Sequence, residues 1–229
     1  MKQIAGKENG NAWGNGERTL CWEGEPVLVC TLTAPALPEG GRGMGRITRW
    51  CRRLERTWIT RWERALYPRA CAALRTARAA SRPFRPWTAS LEGGVTLETE
   101  ERLSLIYDAA EQLDGPHRVF LRTGMTWELP SGCPLPLSAL FPPGFPWRGR
   151  ALEEAEKQLR ARQEAGEARF WPDWERALRR SFDPERFYLT PEGAVLCFPL
   201  YALGPYMEGA PEVLLSVPAQ AEGAERAEV

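Results

Sequence analysis

The sequence predicts an α+β protein, in which a long N-terminal amphipathic helix and a second helical segment pack on an antiparallel sheet. Short β-favouring runs with alternating apolar residues occur before and after the helical segments. Strands and helices do not alternate with the regularity of βαβ units, which argues against a doubly wound parallel sheet. The 229 residues, 43% of them hydrophobic, suffice for one large domain or two small ones with real cores.

The chain is predicted to begin with a disordered lead-in, residues 1–16, which is polar and rich in Gly and Asn. Residues 18–22 and 26–33 then form a hairpin whose turn is Glu23-Gly24. A tight hairpin would place Cys21 opposite about Pro26 or Leu28. Cys21 and Cys30 are therefore poor cross-strand partners for a disulfide.

A long helix is predicted over residues 46–78, after a loop rich in Pro and Gly. Seven apolar residues fall within about 120° of a helical wheel. They are Ile47, Trp50, Cys51, Leu54, Trp58, Trp62 and Ala65. We expect the residues Trp50, Leu54, Trp58 and Trp62 to be buried against the sheet. Pro68 should kink or break the helix near Tyr67.

Strands are predicted over residues 84–91, 95–109 and 119–128, with Gly93-Gly94 as a hairpin turn. Helices over residues 150–169 and 172–181 follow. The predicted organisation is an N-terminal α+β lobe at 17–125, a C-terminal lobe at 126–217 and a disordered tail at 218–229.

The most specific stretch of the sequence is residues 186–213. Phe187, Tyr188 and Leu189 form a β-favouring run, and residues 194–198 form a second strand. Residues 201–209 read as a compact turn in which Pro205 fixes φ. A last strand covers residues 212–217.

This stretch resembles the C-terminal segment of the extracytoplasmic domain of RsiV-type anti-sigma factors. That domain of unknown function also occurs beside the catalytic domain of PdaC-type peptidoglycan deacetylases. Further motifs that carry the resemblance are Leu103-Ser104-Leu105, the Gly-x-His turn at residues 114–117 and residues 126–141. Ala139 and Ala202 stand where the family usually has an acid. The resemblance spans roughly residues 17–217.

The resemblance implies a bacterial, cell-wall-related binding or sensor module that is not an enzyme and needs no cofactor. In that family the RsiV-type domain binds lysozyme; here the resemblance implies an unknown protein or cell-wall ligand. Five residues of the family motifs are candidates for binding: His117, Tyr188, Tyr201, Tyr206 and Glu212. Tyrosine is favoured at protein interfaces. The alternative is that the tyrosine rings pack the turn onto the sheet and that His117 braces its own turn.

The net charge is zero, but the charges are unevenly distributed. Residues 42–85 contain 13 Arg and only two acids, Glu55 and Glu63. Basic side chains with interleaved Trp could bind an anionic surface or nucleic acid. However, the Trp and Arg residues lie on opposite faces of the predicted helix, as they do in a core helix. Nucleic acid is therefore not the favoured partner.

Catalytic and metal sites find little support in the sequence. His117 is the only histidine and has no nucleophile motif near it, and the six cysteines form no metal-ligand pattern. We expect six buried or half-buried thiols. Glu98 and Glu100 would share one strand face. The alternative function is therefore a cell-wall hydrolase or deacetylase, or an accessory to one, that uses surface carboxylates.

The N-terminus lacks the apolar core of a signal peptide, and no apolar run is long enough for a transmembrane segment. As written, the sequence predicts a cytoplasmic protein. If it is a piece of a longer protein, the resemblance predicts an extracytoplasmic one.

Overall fold

A computed structural model describes residues 13, 15–116 and 118–217. It confirms the predicted α+β fold. The larger of its two sheets consists of β1 (Gly16–Trp22), β2 (Glu25–Thr33), β3 (Trp87–Glu98), β4 (Arg102–Gln112), β5 (Val119–Glu128) and β6 (Cys133–Pro134). These strands lie in sequence order across the sheet. Every neighbouring pair is antiparallel except β2 and β3, which are parallel because a helical crossover joins them.

The smaller sheet consists of β7 (Phe187–Thr190), β8 (Gly193–Cys197) and β9 (Glu212–Leu215), all antiparallel. The helices are α1 (Arg42–Arg61), α2 (Tyr67–Ala79), α3 (Trp147–Glu164) and α4 (Trp174–Ser181). The three strands of the C-terminal stretch and the two helices before them agree with the sequence prediction, apart from their ends. Of the residues that were predicted to be disordered, 1–12, 14 and 218–229 lie outside the described residues, whereas β1 begins at Gly16, inside the predicted lead-in of residues 1–16, because it pairs with β2 from that residue on.

Two large apolar clusters hold the layers together. In the first, α1 and α2 cover one face of the larger sheet, and in the second, α3 and α4 cover one face of the smaller sheet. The free face of the smaller sheet packs on the larger sheet, where Tyr188, Val195 and Cys197 contact Ile106. The smaller sheet therefore packs on the face of the larger sheet that α1 and α2 do not cover.

Helix α1 begins at Arg42, within the residues that were predicted to form a loop. The prediction was wrong because glycine has a packing role here. A Cβ at Gly43 would overlap the carbonyl oxygen of Leu129 and lie 2.9 Å from the backbone nitrogen of Gly132. Glycine therefore lets the start of the helix touch the backbone that follows β5.

The predicted break near Pro68 takes the form of a π-helical turn, Trp62–Leu66. The backbone N–H of Tyr67 donates to the carbonyl of Trp62, and α2 then begins with Pro68 in its first turn, where proline is tolerated. Of the predicted tryptophan stripe, Trp62 is fully buried. The other three residues are only half-buried at the margin of the core, which corrects the prediction. They are Trp50, Leu54 and Trp58.

The hairpin turn predicted at Gly93-Gly94 is wrong, because β3 runs straight through both residues. A Cβ at Gly93 would lie 2.6 Å from Pro35 Cδ and 2.8 Å from Tyr107 Cε1, so glycine serves close packing inside the strand. The chain reverses at residues 99–101, where Thr99 Oγ1 accepts hydrogen bonds from the backbone N–H groups of Glu101 and Arg102. The predicted strand 95–109 is therefore the two arms of one hairpin.

The same turn separates the carboxylates that were expected to share a strand face. Glu98 ends β3 and Glu100 lies in the turn, and both are exposed. In the first hairpin, Cys21 pairs with Pro26, as predicted. All six cysteines are free, but Cys21 and Cys133 are exposed rather than buried because they lie on β1 and β6, the two edge strands of the larger sheet.

None of the helices within the described ranges combines the length and the apolar character that a membrane span requires.

Candidate binding groove

A polar cluster joins the two sheets where β5 faces β9. Arg122 on β5 lies opposite Asp108 on β4, and its guanidinium makes a bidentate contact with that carboxylate, with an Nε–Oδ1 distance of 2.7 Å. The same guanidinium donates to Glu212 Oε1 on β9 at 2.7 Å. Arg122 therefore ties the larger sheet to the smaller one through two carboxylates.

Two predicted binding residues, Tyr188 and Glu212, meet in this polar cluster. The Tyr188 hydroxyl and the Cys197 thiol lie 3.4 Å and 3.5 Å from Glu212 Oε1. Burial and, after it, the charge of Glu212 raise the pKa of Tyr188 to about 12, and they raise the pKa of Cys197 as well. Both groups are therefore protonated at neutral pH, so Cys197 is not a thiolate nucleophile.

A groove of about 230 Å³ opens next to the polar cluster. One wall is the outer edge of β5, and the other is the chain that follows β8, residues 197–201. Arg118, Arg122, Arg186 and Cys197 are among the residues that line it.

Several large apolar side chains at the rim of the groove are exposed to solvent. Val119 is 58% exposed and Leu121 is 37% exposed on one side, and Tyr201 is 49% exposed on the other. Tyr201 has φ +66°, a left-handed conformation that costs free energy for a bulky residue. Its carbonyl oxygen lies 3.4 Å from the indole nitrogen of Trp171, which donates to it. The surrounding chain therefore holds Tyr201 outward against its own backbone preference.

Tyr206 connects this rim to the start of β5. Its hydroxyl accepts a hydrogen bond from the backbone N–H of Arg118 at 3.1 Å, and its ring lies 6.0 Å from that of Tyr201. The structure thus brings Tyr201 and Tyr206 together at the mouth of the groove. The fifth predicted binding residue, His117, lies outside the described residues.

Sequence reasoning missed Arg122, Asp108 and Arg118. The first two are brought together by strand register, and Arg118 belongs to the site because residues 197–201 fold back beside it. The one available signal was that two neighbouring predicted strands each carry a charged residue, Asp108 and Arg122. Such pairs are frequent on solvated sheet faces, so this signal does not single out a binding site.

Comparison with known proteins gives a family match for part of the chain. Residues 138–217, about a third of the 229 residues, match the family model described as a protein of unknown function, DUF3298. This segment contains α3, α4 and the whole smaller sheet, with the wall of the groove that carries Tyr201. The curated proteins contain no match to the chain.

Two solved structures share the fold over most of the chain. One is a DUF3298 family protein from Pseudomonas aeruginosa PAO1, with a TM-score of 0.55 and 14% identity over 92% of this chain and 94% of that one. The other is a DUF3298 family member from Bacteroides fragilis NCTC 9343, with a TM-score of 0.56 and 16% identity over 83% of this chain and 82% of that one. Residues 138–217 thus match the DUF3298 family of unknown function, and the fold of the chain is that of two solved proteins of this family.

Proposed function

We propose that the protein is a non-enzymatic binding module whose ligand site is the groove between β5 and residues 197–201. The observation that carries this proposal is Tyr201, a large aromatic residue that is half exposed in a strained conformation at the rim. Strained backbone conformations cost stability, and they cluster at active sites, ligand clamps and switch regions. The resemblance to the RsiV-type sensor domain supports the same class of function.

The size of the groove favours a protein ligand over a small molecule. Sites that enclose a small molecule usually measure about 300–1,000 Å³. At about 230 Å³ the groove can take one or two side chains from a partner but cannot enclose a larger free ligand. An exposed tyrosine beside such a pocket is a typical anchor point of a protein interface, and the aliphatic side chains around it add apolar contact area.

Lysozyme is the partner that the family resemblance implies, and charge argues against it. Lysozyme is strongly cationic. Arg122 and Arg186 at the groove are paired with carboxylates, but Arg118 has no carboxylate partner among the described residues, and no carboxylate lines the groove itself. We expect weak or no binding at physiological salt. A calorimetric titration that gives sub-micromolar affinity for lysozyme would prove this expectation wrong.

The absence of catalysis is part of the proposal. Support comes from the protonated state of Cys197 and from the exposed, separated positions of Glu98 and Glu100. Peptidoglycan fragments incubated with the protein should show no hydrolysis and no deacetylation. Turnover that disappears on His117→Ala or Glu98→Gln would instead support the alternative of a cell-wall enzyme.

A selection from a random library of 12-residue peptides tests the groove as a protein-binding site. We expect wild-type protein to enrich a consensus, Leu121→Asp and Tyr201→Ala to bind the enriched peptides at least tenfold more weakly, and Arg56→Ala to bind them normally. Arg56 is an exposed residue of α1 and serves as the matched control. No consensus, or equal binding by the groove variants, would overturn the proposal.

A second candidate function rests on the exposed face of α1, which we call the Arg stripe. Its members fall within about 120° of the helix over roughly 21 Å, about one per turn. They are Arg42, Arg49, Arg52, Arg53 and Arg56. Within the described residues, no carboxylate pairs with Arg52, Arg53 or Arg56. Such a surface suits a phosphate-bearing polymer or membrane.

Salt-dependent binding tests this candidate. We expect wild-type protein to bind anionic phospholipid vesicles at low salt and the triple variant Arg52→Gln, Arg53→Gln, Arg56→Gln to bind them much less. Leu121→Asp is the reciprocal control and should bind normally. Vesicle binding that is absent at low salt, or unchanged in the triple variant, would exclude this function.

A further inference from the structure

We propose that the outer edge of β5 takes an extended segment of a partner protein as an added strand, with an apolar side chain in the groove and a carboxylate on Arg118. This inference rests on the proposed function and names the kind of partner. The edge strand of a sheet offers backbone groups that a peptide can pair with, while pockets beside the edge select its side chains.

The direction of the backbone groups of β5 follows from two contacts. In an antiparallel strand, alternate residues point both N–H and C=O to the same side. The carbonyl of Thr126 points away from β4 because it accepts a hydrogen bond from the N–H of Leu135, and the N–H of Arg118 points away from β4 because it donates to Tyr206. The register of β4 and β5 is unbroken, so Phe120 and Arg122 also point outward.

These outward groups have no partner in the part of the chain that the structure describes. No hydrogen bond reaches the backbone N–H or C=O of Phe120 or Arg122 on the outer side. Phe120 and Arg122 both line the groove, and the residue between them, Leu121, is exposed. Pairing with a short peptide at these two residues would supply up to four backbone hydrogen bonds.

Both ends of this open window are closed by the chain itself. At one end the Tyr206 hydroxyl accepts the hydrogen bond from the backbone N–H of Arg118, and at the other end β6 pairs with Trp127 and Glu128. The part of this window that borders the groove, residues 119–122, spans about 13 Å at the rise of a strand. A short extended segment fits this window, whereas a long strand or a sheet-to-sheet contact does not.

The charges around the window select the partner. Two copies of the chain could pair antiparallel through this edge, with Phe120 opposite Phe120. Arg118 of each copy would then lie opposite Arg122 of the other. Like charges directly opposite each other on neighbouring strands are destabilising, so a second copy is disfavoured as the partner. Arg122 is matched by Asp108 and Glu212. The Arg118 guanidinium instead donates to the neutral hydroxyl of Ser90 at 3.0 Å, and no carboxylate among the described residues pairs with it. Arg118 is therefore free to bind an acidic side chain of a different protein.

Two variants of one residue test strand addition with the peptides enriched by the library selection. Phe120→Pro removes the outward N–H, and because that N–H does not pair with β4, the edge strand should tolerate proline. Phe120→Ala is the matched control, since it removes the ring and keeps the N–H. We expect Phe120→Pro to bind the peptide at least tenfold more weakly than Phe120→Ala. Equal binding by the two variants, with loss in Leu121→Asp, would overturn strand addition and leave the groove as the site.

Backbone methylation of the peptide gives a second measurement that does not depend on the folding of Phe120→Pro. Methylating one alternate set of peptide amides should abolish binding, and methylating the other set should preserve it, because only one set faces β5. Loss or retention with both sets would contradict strand addition. Arg118→Glu should reverse the preference for glutamate over lysine in the peptide. If the preference for glutamate is unchanged in Arg118→Glu, Arg118 does not bind an acidic side chain of the partner.

Discussion

The Ser104 hydroxyl accepts a hydrogen bond from the backbone N–H of Leu189 at 2.8 Å, across the interface between the two sheets. Ser104 is fully buried on β4, and its hydroxyl also lies 2.9 Å from the hydroxyl of Thr126 on β5. Leu189 belongs to β7, one of the two edge strands of the smaller sheet. One serine side chain therefore satisfies an edge N–H that would otherwise be buried without a partner.

Ser104→Ala should destabilise the protein by about 1–3 kcal/mol, because it leaves the Leu189 N–H buried and unpaired. Thr57→Ala is the control, since Thr57 is exposed on α1 and its hydroxyl bonds only to its own helix. Urea unfolding measures both free energies. If both substitutions have the same small effect, the contact between the sheets does not contribute to stability as inferred.

Gly124→Ala should also weaken the packing of the two sheets. A Cβ at Gly124 would overlap the carbonyl oxygen of Phe187 and lie 3.0 Å from the backbone nitrogen of Tyr188, and neither backbone atom can turn aside. We expect a loss of about 1–3 kcal/mol, as for other overpacked sites.

Gly94→Ala is the matched control for this prediction. It lies on the same sheet, and its nearest neighbour would be Ile106 Cγ1 at an ordinary 3.8 Å. The free energies of unfolding of the two variants should differ clearly. A Gly124→Ala variant as stable as Gly94→Ala would show that the two sheets do not approach each other as closely at this point.

The tryptophans of α1 and of the π-helical turn that follows it should differ in their contribution to stability. Trp62 is completely buried, so Trp62→Ala should cost about 3–5 kcal/mol. Trp58 is only half-buried, so Trp58→Ala should cost clearly less. The indole nitrogen of Trp62 is buried with no partner among the described residues, so Trp62→Phe should lose far less stability than Trp62→Ala. Chemical unfolding of the three variants would contradict this ranking if Trp58→Ala were the most damaging.

Alkaline pH should weaken the protein through Tyr188. Its pKa is raised to about 12 in the folded protein, whereas a tyrosine in an unfolded chain has a pKa of about 10. The unfolded state therefore loses this proton first, so the stabilisation is complete below about pH 10 and is lost as the pH rises towards 12.

Urea unfolding of wild-type protein and Tyr188→Phe between pH 9 and 12 measures this effect. The wild type should lose about 1–3 kcal/mol more than the variant over that range. Buried acids that do not interact with Tyr188, such as Cys30 and Cys51, contribute equally to both proteins and cancel in the difference. Parallel curves for the two proteins would contradict the burial of the Tyr188 hydroxyl.

Local patterns in the sequence were sufficient to predict the fold class and most elements. The first hairpin, the disturbance near Pro68 and the three C-terminal strands follow from turn chemistry and hydrophobic periodicity, which act between near neighbours. Gly43 and Gly93 misled the prediction. Gly43 packs against Leu129 and Gly93 packs against Pro35, each in a distant part of the chain. Such contacts leave no local pattern in the sequence.

The candidate site was predicted only in part for the same reason. Tyr201 and Tyr206 were candidates because they lie in a compact turn of the family motif. Tyr201 lines the groove, and the ring of Tyr206 lies beside that of Tyr201. Arg118 and Arg122 could not be recognised, because their role depends on the register of β5 and on how residues 197–201 fold back beside it. The resemblance to a sensor domain pointed to the C-terminal stretch but not to the strand that forms the opposite wall.

The central claim is that the groove beside β5 is where the protein binds its partner. Chemical-shift mapping of ¹⁵N-labelled protein with a peptide enriched from the random library tests it most directly. We predict that the largest shifts fall on the backbone amides of residues 118–122 and 197–201, and that they disappear in Leu121→Asp. Shifts confined to the Arg stripe, or spread over the surface without a focus at the groove, would contradict the claim.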